Sequence, residues 1–470
     1  MSTPSQDLAR FAAELRAEDL PDEVRGAAGL HVLDTIGCGL AALATGQGGA
    51  VLGAATEEGS TGTATGIGAD HGLPSADAAL VNGTLCHALD YDDTHAASVV
   101  HVSTTVVPAA LAAGQQAGAG GADVLRAVVA GAETATRIGM AARGRFHARG
   151  LHPTGVCGVF GAAVAAAVVR GLDADRVAAA VGIAGSMAGG LLEFLADGSG
   201  TKPLHAGWAA HAGVVAARLA AHGATGPASV LEGEKGFFAT YLHGEAVDIA
   251  AQTDDLGVRW ETPAIAFKPY PVCHYAHAPL DALDRLNGEH RLRPDDVAEI
   301  VAVTDATGIG LVLEPVEVKR APRTPHGAKF SLPYCLAHLL VHGSLDVASF
   351  TPQAIRDPAV LAVAARVTYE RADHDAAPDA FPGGVRVTLR DGRVLAAEVQ
   401  HQRGGVHAPM TDREILEKWR RGALLALPPE AVETLEHALL HLGEQEDLAA
   451  VRLLSRAASP SDVRPATLST

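Results

Sequence analysis

Residues 153–171 read PTGVCGVFGAAVAAAVVRG. A proline stands at the entry, a glycine at the exit, and the residues between are small and apolar, which is how a buried helix is written. The same grammar recurs on both sides. It is present in SQDLARFAAEL (5–15), DEVRGAAGLHVLDTIGCGLAAL (22–43), SADAALVNGTLCHALDY (75–91), TVVPAALAAGQQAG (105–118), ADVLRAVVAGAETATRI (122–138) and DADRVAAAVGIAGSM (173–187). Each carries an apolar stripe at a spacing of about 3.6 residues and is closed by Gly or restarted after Asp. From Ser5 to about Gly223 the chain therefore reads as a helical bundle, and no 20–50-residue period suggests a solenoid.

Composition agrees. Of 470 residues, 48% are apolar but only 4% aromatic, and 52 are Gly, so the core must be built from small side chains on helices that approach closely. After Trp260 the grammar changes. VAEIVAVTDA (297–306), ARVTYERA (365–372) and GGVRVTLRDGRVLAAEVQ (383–400) alternate apolar and polar residues, and Asp391-Gly392 marks a hairpin. HAPLDALDRLNGEH (277–290) and SLPYCLAHLLVHG (331–343) are interleaved helices. The expected fold is mainly α with a smaller α+β domain. Residues 1–265 form the helical domain, 266–404 the α+β domain, 405–460 pack back on the bundle, and 461–470 are a flexible tail.

The net charge of −18 argues against nucleic acid as a partner, since that affinity rests on Lys and Arg. Five scattered cysteines without a CxxC pair fit a reduced, cytoplasmic protein rather than a disulfide framework. The N-terminus lacks signal architecture, and no run offers the roughly 18 apolar residues in a row of a membrane span, so no membrane partner is expected.

Chemistry concentrates in HALDYDDTHAASVVH (87–101). If the preceding helix runs on, His87, Asp90 and Tyr91 share a face, and Asp92, Asp93 and Thr94 fall at its C-terminal end, where the dipole disfavours anions. The stretch can be read as a solvated loop, as a Mg²⁺ carboxylate cluster, or as a proton-transfer site. A Mg²⁺ site would need a second acidic cluster and basic phosphate clamps, and the sequence has no such second motif. Proton transfer needs carboxylates beside histidines in a partly dry pocket, and the chain has 22 His. Other candidates are His152, at the entry of the 153–171 helix where N–H groups attract anions, and Lys202, beside His205 after a Gly-Ser-Gly turn. Lys268, His274 and His277 stand in FKPYPVCHYAHAPLDAL (267–283), and Tyr334 follows AKFSL near a helix start. Cys273 reads as a packed thiol. There is no P-loop, dinucleotide fingerprint, HExxH or GxSxG motif.

Taken in order, VNGTLCHALDYDDTH (81–95), GLHPTGVCGVFGAA (150–163), GTKPLHAGWAAHAG (200–213), KPYPVCHYAHAPLDA (268–282) and AKFSLPYCLA (328–337) resemble the MmgE/PrpD family, over about residues 5–455. That family includes 2-methylcitrate dehydratase, cis-aconitate decarboxylase and iminodisuccinate epimerase. The resemblance implies a helical bundle with an α+β lid, a homodimer, a small anionic carboxylate substrate, and no cofactor or metal. Matched by motif, the family's site residues fall on Asp90, Thr94, His101, His152, Lys202 and His277. His101 needs a one-residue shift in the loop after Thr94, and Tyr334 stands in for a family tyrosine without a clear counterpart.

The expected activity is a cofactor-independent lyase, a dehydratase or decarboxylase of a citrate- or aconitate-like polycarboxylate, working by His/Asp acid–base catalysis. Asp90 orients a histidine, His101, His152 and His277 move protons, and Thr94, Lys202, His274, Lys268 and Tyr334 bind substrate. Asp92 and Asp93 are taken as structural. The alternatives are an epimerase of a dicarboxylic amino-acid derivative such as iminodisuccinate, a Mg²⁺-dependent prenyl-type enzyme, and a non-catalytic carboxylate-binding protein.

Overall fold

Small residues at the crossings set the spacing of the bundle. The computed structural model describes residues 2–458 apart from 58, 60, 375 and 377–379, so the expected flexible tail lies outside the described residues. The protein is mainly α with a smaller α+β part. It divides into two units: the first takes the chain up to Leu195, Thr201–Ile265 and everything from Thr411, the second Ala196–Gly200 and Ala266–Met410.

In the first unit the principal helices are Pro4–Glu14, Asp22–Ala44, Ser75–His87, Ser103–Ala117, Gly121–Ala142, Pro153–Val169, Ala174–Ala184, Thr201–Ala221, Asp412–Ala423 and Pro429–Leu440. Pro153–Val169 is buried along its whole length, and it packs on Gly121–Ala142, Ser103–Ala117 and Thr201–Ala221. Backbone meets backbone at these crossings. A Cβ on Gly131 would lie 2.6 Å from the Gly161 carbonyl, and one on Gly161 the same distance from the Gly131 carbonyl. Ser75–His87 crosses Thr201–Ala221 at Gly83 and Gly207, where a Cβ on Gly207 would sit 2.1 Å from Thr84 Oγ1. Among the described residues one helix, Asp22–Ala44, is long and apolar enough to cross a membrane, and 83% of its apolar window is buried inside the protein. Asp412–Ala423 lies against it, with Trp419 fully buried over Gly37.

The second unit is built on a four-stranded sheet. Val297–Thr304 pairs in parallel with Val367–Arg371 and antiparallel with Gly383–Leu389, which pairs in turn with Val394–Val399 across the Asp391-Gly392 turn. Gly392 has φ 88°, the left-handed backbone that such a turn demands. Helix His277–His290 packs on the last two strands, and Leu280, Leu283, Ile300, Leu336, Val385 and Val387 belong to one core.

The Gly83–Gly207 crossing gives a stability test. Gly207→Val forces the two helices apart and should cost about 1–3 kcal/mol in urea denaturation. Gly29→Ala, whose Cβ would meet nothing within 4 Å, should be neutral or stabilising by up to about 1 kcal/mol.

Candidate active site

Helix Ser75–His87 does not run on through Asp90 and Tyr91 as the spacing suggests; it stops at His87. Asp90 takes φ 54°, a left-handed conformation that a short polar side chain tolerates, and the chain turns sharply there. Asp90, Asp92 and Asp93 are nevertheless all buried. Buried carboxylates stay ionised only where donors or positive charge meet them, and each of these meets a different element.

Asp90 Oδ2 accepts from Lys202 Nζ at 2.9 Å, from the first turn of Thr201–Ala221. Asp92 Oδ2 faces two imidazoles, His87 Nδ1 at 2.8 Å and His101 Nδ1 at 3.1 Å. Asp93 Oδ1 accepts from the Ser103 N–H at 3.2 Å, and its Oδ2 lies 2.8 Å from His31 Nδ1. Between them, the Tyr91 carbonyl accepts from Lys418 Nζ at 2.7 Å. Lys418 also lies 4.0 Å over the Tyr91 ring and pairs with Asp34 at 2.8 Å. The acidic turn is thus a buried polar hub rather than a solvated loop.

Three imidazole rings gather beside it. His87 lies 4.6 Å from His101 and 5.6 Å from His152 between centroids, nearly parallel to the latter at 18°. His101 is fixed through its Nδ1, 2.9 Å from the Asp93 carbonyl and 3.1 Å from Thr94 Oγ1, while its backbone N–H donates to Thr154 Oγ1 at 3.1 Å. His152 is the N-cap residue of Pro153–Val169, its N–H donates to the Gly190 carbonyl, and its Nδ1 lies 3.2 Å from His205 Nδ1. Ligand-type atoms of Asp90, Asp92 and His101 all fall within 4.8 Å of one another, and so do those of His87, His101 and His152.

Burial opposes ionisation of Asp92, yet the charges and hydrogen bonds of His87 and His101 outweigh it and hold the carboxyl well below its usual range. Burial, then the neighbouring His87 and Lys202, push His152 well below the ordinary imidazole value. The same causes bring His205 down to about 4. At neutral pH the hub therefore holds an ionised Asp92 beside a neutral His152.

Asp90, Thr94, His101, His152 and Lys202, singled out from the sequence, come together in the first unit. Asp92 is the carboxylate that faces the His87 and His101 imidazoles, while Asp90 pairs with Lys202 and has an oxygen within 4.8 Å of the ligand-type atoms of Asp92 and His101. In the second unit Lys268, His274 and His277 are buried. His277 Nε2 lies 3.3 Å from the Val272 carbonyl, and the two imidazoles are 4.6 Å apart between centroids. Tyr334 belongs to that unit's core; its hydroxyl donates to the Ser349 carbonyl at 2.6 Å, and burial pushes its phenol up. Cys273 is buried like the other four thiols. Sequence reasoning passed over His31, Asp34, His87 as a site residue, and Lys418. Lys418 carried a signal, since it stands between Ile415 and Trp419 on the apolar face of its helix, where a lysine implies a buried partner.

The MmgE/PrpD N-terminal domain model matches residues 6–250 and the MmgE/PrpD C-terminal domain model residues 270–442. The chain belongs to the MmgE/PrpD family. A cis-aconitate decarboxylase-like protein of Aspergillus oryzae is 29% identical, covering 95% of this chain and 97% of that protein. The human cis-aconitate decarboxylase is 30% identical over 83% of this chain and 81% of its own length, and that of Aspergillus terreus 26% identical over 94% of each. This MmgE/PrpD protein is a lyase.

Two predictions follow from the hub's electrostatics. Lys418→Met strands Asp34 in the core and should cost about 3–5 kcal/mol, part of which Lys418→Met/Asp34→Leu recovers, as denaturant midpoints will record. The second concerns pH. His95, brought down to about 4 chiefly by burial, and His152 are neutral in the folded protein near pH 6. Their unfolded counterparts take up protons below about 6.5, so unfolding binds protons as the pH falls toward 4. Stability should be complete above about pH 6.5 and decline below it by up to about 1.4 kcal/mol per pH unit per imidazole. His95→Gln should make the slope of denaturation free energy against pH shallower by one proton.

Proposed function

We propose that this lyase decarboxylates a polycarboxylate of the cis-aconitate type by metal-independent acid–base catalysis. The observation that carries the reading is the convergence of a buried lysine and three imidazoles on the Asp90–Thr94 turn. The names of the relatives support decarboxylation over dehydration.

In such a substrate one carboxylate is attached to a carbon adjacent to a carbon–carbon double bond. When that carboxylate leaves as CO₂, its bonding electron pair passes into the double bond and toward a remaining carboxylate, as an enediolate-like charge. A nearby acid must then deliver one proton to carbon. Lys202 and the N–H groups at the start of Pro153–Val169 would bind the remaining carboxylates and stabilise that charge. His101, oriented through Nδ1 by Asp92, is assigned the proton delivery, and neutral His152 would donate a hydrogen bond without adding a cation. Lys202 and the imidazoles also bear on how a chain of net charge −18 would accept an anion: the Lys202 ammonium is already paired with Asp90, so imidazoles that take up protons would supply the remaining positive charge.

A proton NMR time course in D₂O with EDTA tests this. Cis-aconitate should give a new olefinic product carrying deuterium at carbon, with CO₂ released in equal amount. Lys202→Met should lower kcat/KM by about 100-fold or more, because the variant loses a charge aimed at the developing anion. Water addition or loss without CO₂ would make the enzyme a dehydratase, and loss of all turnover in EDTA would end the metal-independent reading.

A further inference from the structure

We propose that His87 is a positioning residue that sets the proton affinity of His101 by sharing the Asp92 carboxylate with it. The inference rests on the reading of this site as an acid–base centre and deepens it.

His87 is buried, and its Nδ1 is engaged by Asp92, but its Nε2 has no hydrogen-bond partner among the described residues. An imidazole kept only for packing would satisfy both nitrogens, because an unpaired buried polar group costs about 1–3 kcal/mol. Asp92 shows the same asymmetry. Both imidazoles approach Oδ2, at 2.8 and 3.1 Å, while Oδ1 has no hydrogen-bond partner among the described residues.

One fully buried anion therefore serves two imidazoles whose centroids are 4.6 Å apart. The first proton taken up is stabilised by the carboxylate. A second would place two cations side by side in a dry pocket against a single negative charge. One carboxylate can therefore fully support a charge on only one of the two rings at a time, so a change at either ring is felt by the other. The other ionisable groups around it are already matched: Asp90 with Lys202, Asp93 with His31, Asp34 with Lys418, and His152 with His205. His87 thus competes with His101 for Asp92 and lowers the hold that the carboxylate would otherwise have on a proton at His101. The consequence is an imidazole that releases its proton to carbon more readily than an undivided Asp–His pair would.

The test is His87→Gln, which keeps a donor for Asp92 but cannot carry charge. The His101 titration is followed by NMR of histidine-labelled protein, assigned against His101→Gln, and the pH profile of kcat/KM is measured in parallel. The expected result is an upward move of the His101 titration, and of the matching limb of the profile, by about one pH unit. KM should change less than kcat. Asp92→Asn should move the His101 titration downward instead, and His87→Asn, also uncharged, replaces His87→Gln if that variant does not fold. A His101 titration that stays in place when His87 is replaced overturns the proposal. Because the NMR titration needs no turnover, a shifted His101 in an enzyme that leaves cis-aconitate untouched would sink the proposed reaction and not the coupling.

Discussion

Three carboxylates within four residues, all buried, are the constraint on which the rest of the first unit depends. A buried carboxylate without a counter-charge is not tolerated; it must be protonated, hydrogen-bonded or paired. The chain answers with a partner for each group, two imidazoles in the case of Asp92, and it draws them from far apart: His31 from the second helix, His87 from the helix that ends at the turn, and Lys202 from the Thr201–Ala221 helix, while Lys418, from a helix near the C-terminus, takes the Tyr91 carbonyl. The need to neutralise one turn ties distant elements to it. That is why residues after Thr411 belong with the bundle and not with the strands that precede them in the chain.

Counting charges around the turn shows where reactivity comes from. Asp34, Asp90, Asp92 and Asp93 supply four carboxylates, and Lys202 and Lys418 two ammonium groups. The difference must be met by imidazoles that donate hydrogen bonds or accept protons, and by elevation of a carboxyl, as at Asp34, where burial raises the proton affinity despite Lys418. A hub built this way is short of positive charge. On the proposed reading, an incoming polycarboxylate would enlarge the deficit and draw protons onto the imidazoles nearest to it. Substrate capture and arming of the acid would then be one event.

Much of this was legible in the sequence where the signal is local. Helix His277–His290 and the strands around Asp391-Gly392 follow from periodicity and turn chemistry alone, and Gly343 ends the Leu332–His342 helix with φ 73°. The gathering of Asp90, Thr94, His101, His152 and Lys202 was legible too, although through the family resemblance more than through spacing. What failed was the assumption that helix Ser75–His87 continues. Nothing apolar distinguishes Leu89 from the helix before it, and the break is made by Asp90 entering left-handed backbone, which a nearby lysine 112 residues on makes worthwhile. That Asp92 faces His87 and His101 while Asp90 pairs with Lys202 follows from that one turn. His31 leaves no mark because its partner Asp93 lies outside its own helix, and the one mark that Lys418 leaves, a charge on an apolar face, does not say that it meets Asp34 and Tyr91.

The scarcity of large side chains, which first suggested a bundle, also bears on the chemistry. Helices that touch through Gly and Ala are held by backbone contacts and have few rotamers with which to adjust. The Gly83–Gly207 crossing brings the end of one helix and the start of another close enough for Asp90 to meet Lys202. The Gly131–Gly161 contact fixes the helix that His152 caps and whose first turn carries Thr154, and Thr154 in turn holds the His101 backbone. A bundle of leucines and aromatics would bury more apolar area, but its axes would stand farther apart, and the carboxylates would face either water or empty space. Close packing of small residues thus does more than stabilise the fold: it sets distances of about 3 Å between ionisable groups that come from different helices, and acid–base chemistry depends on those distances.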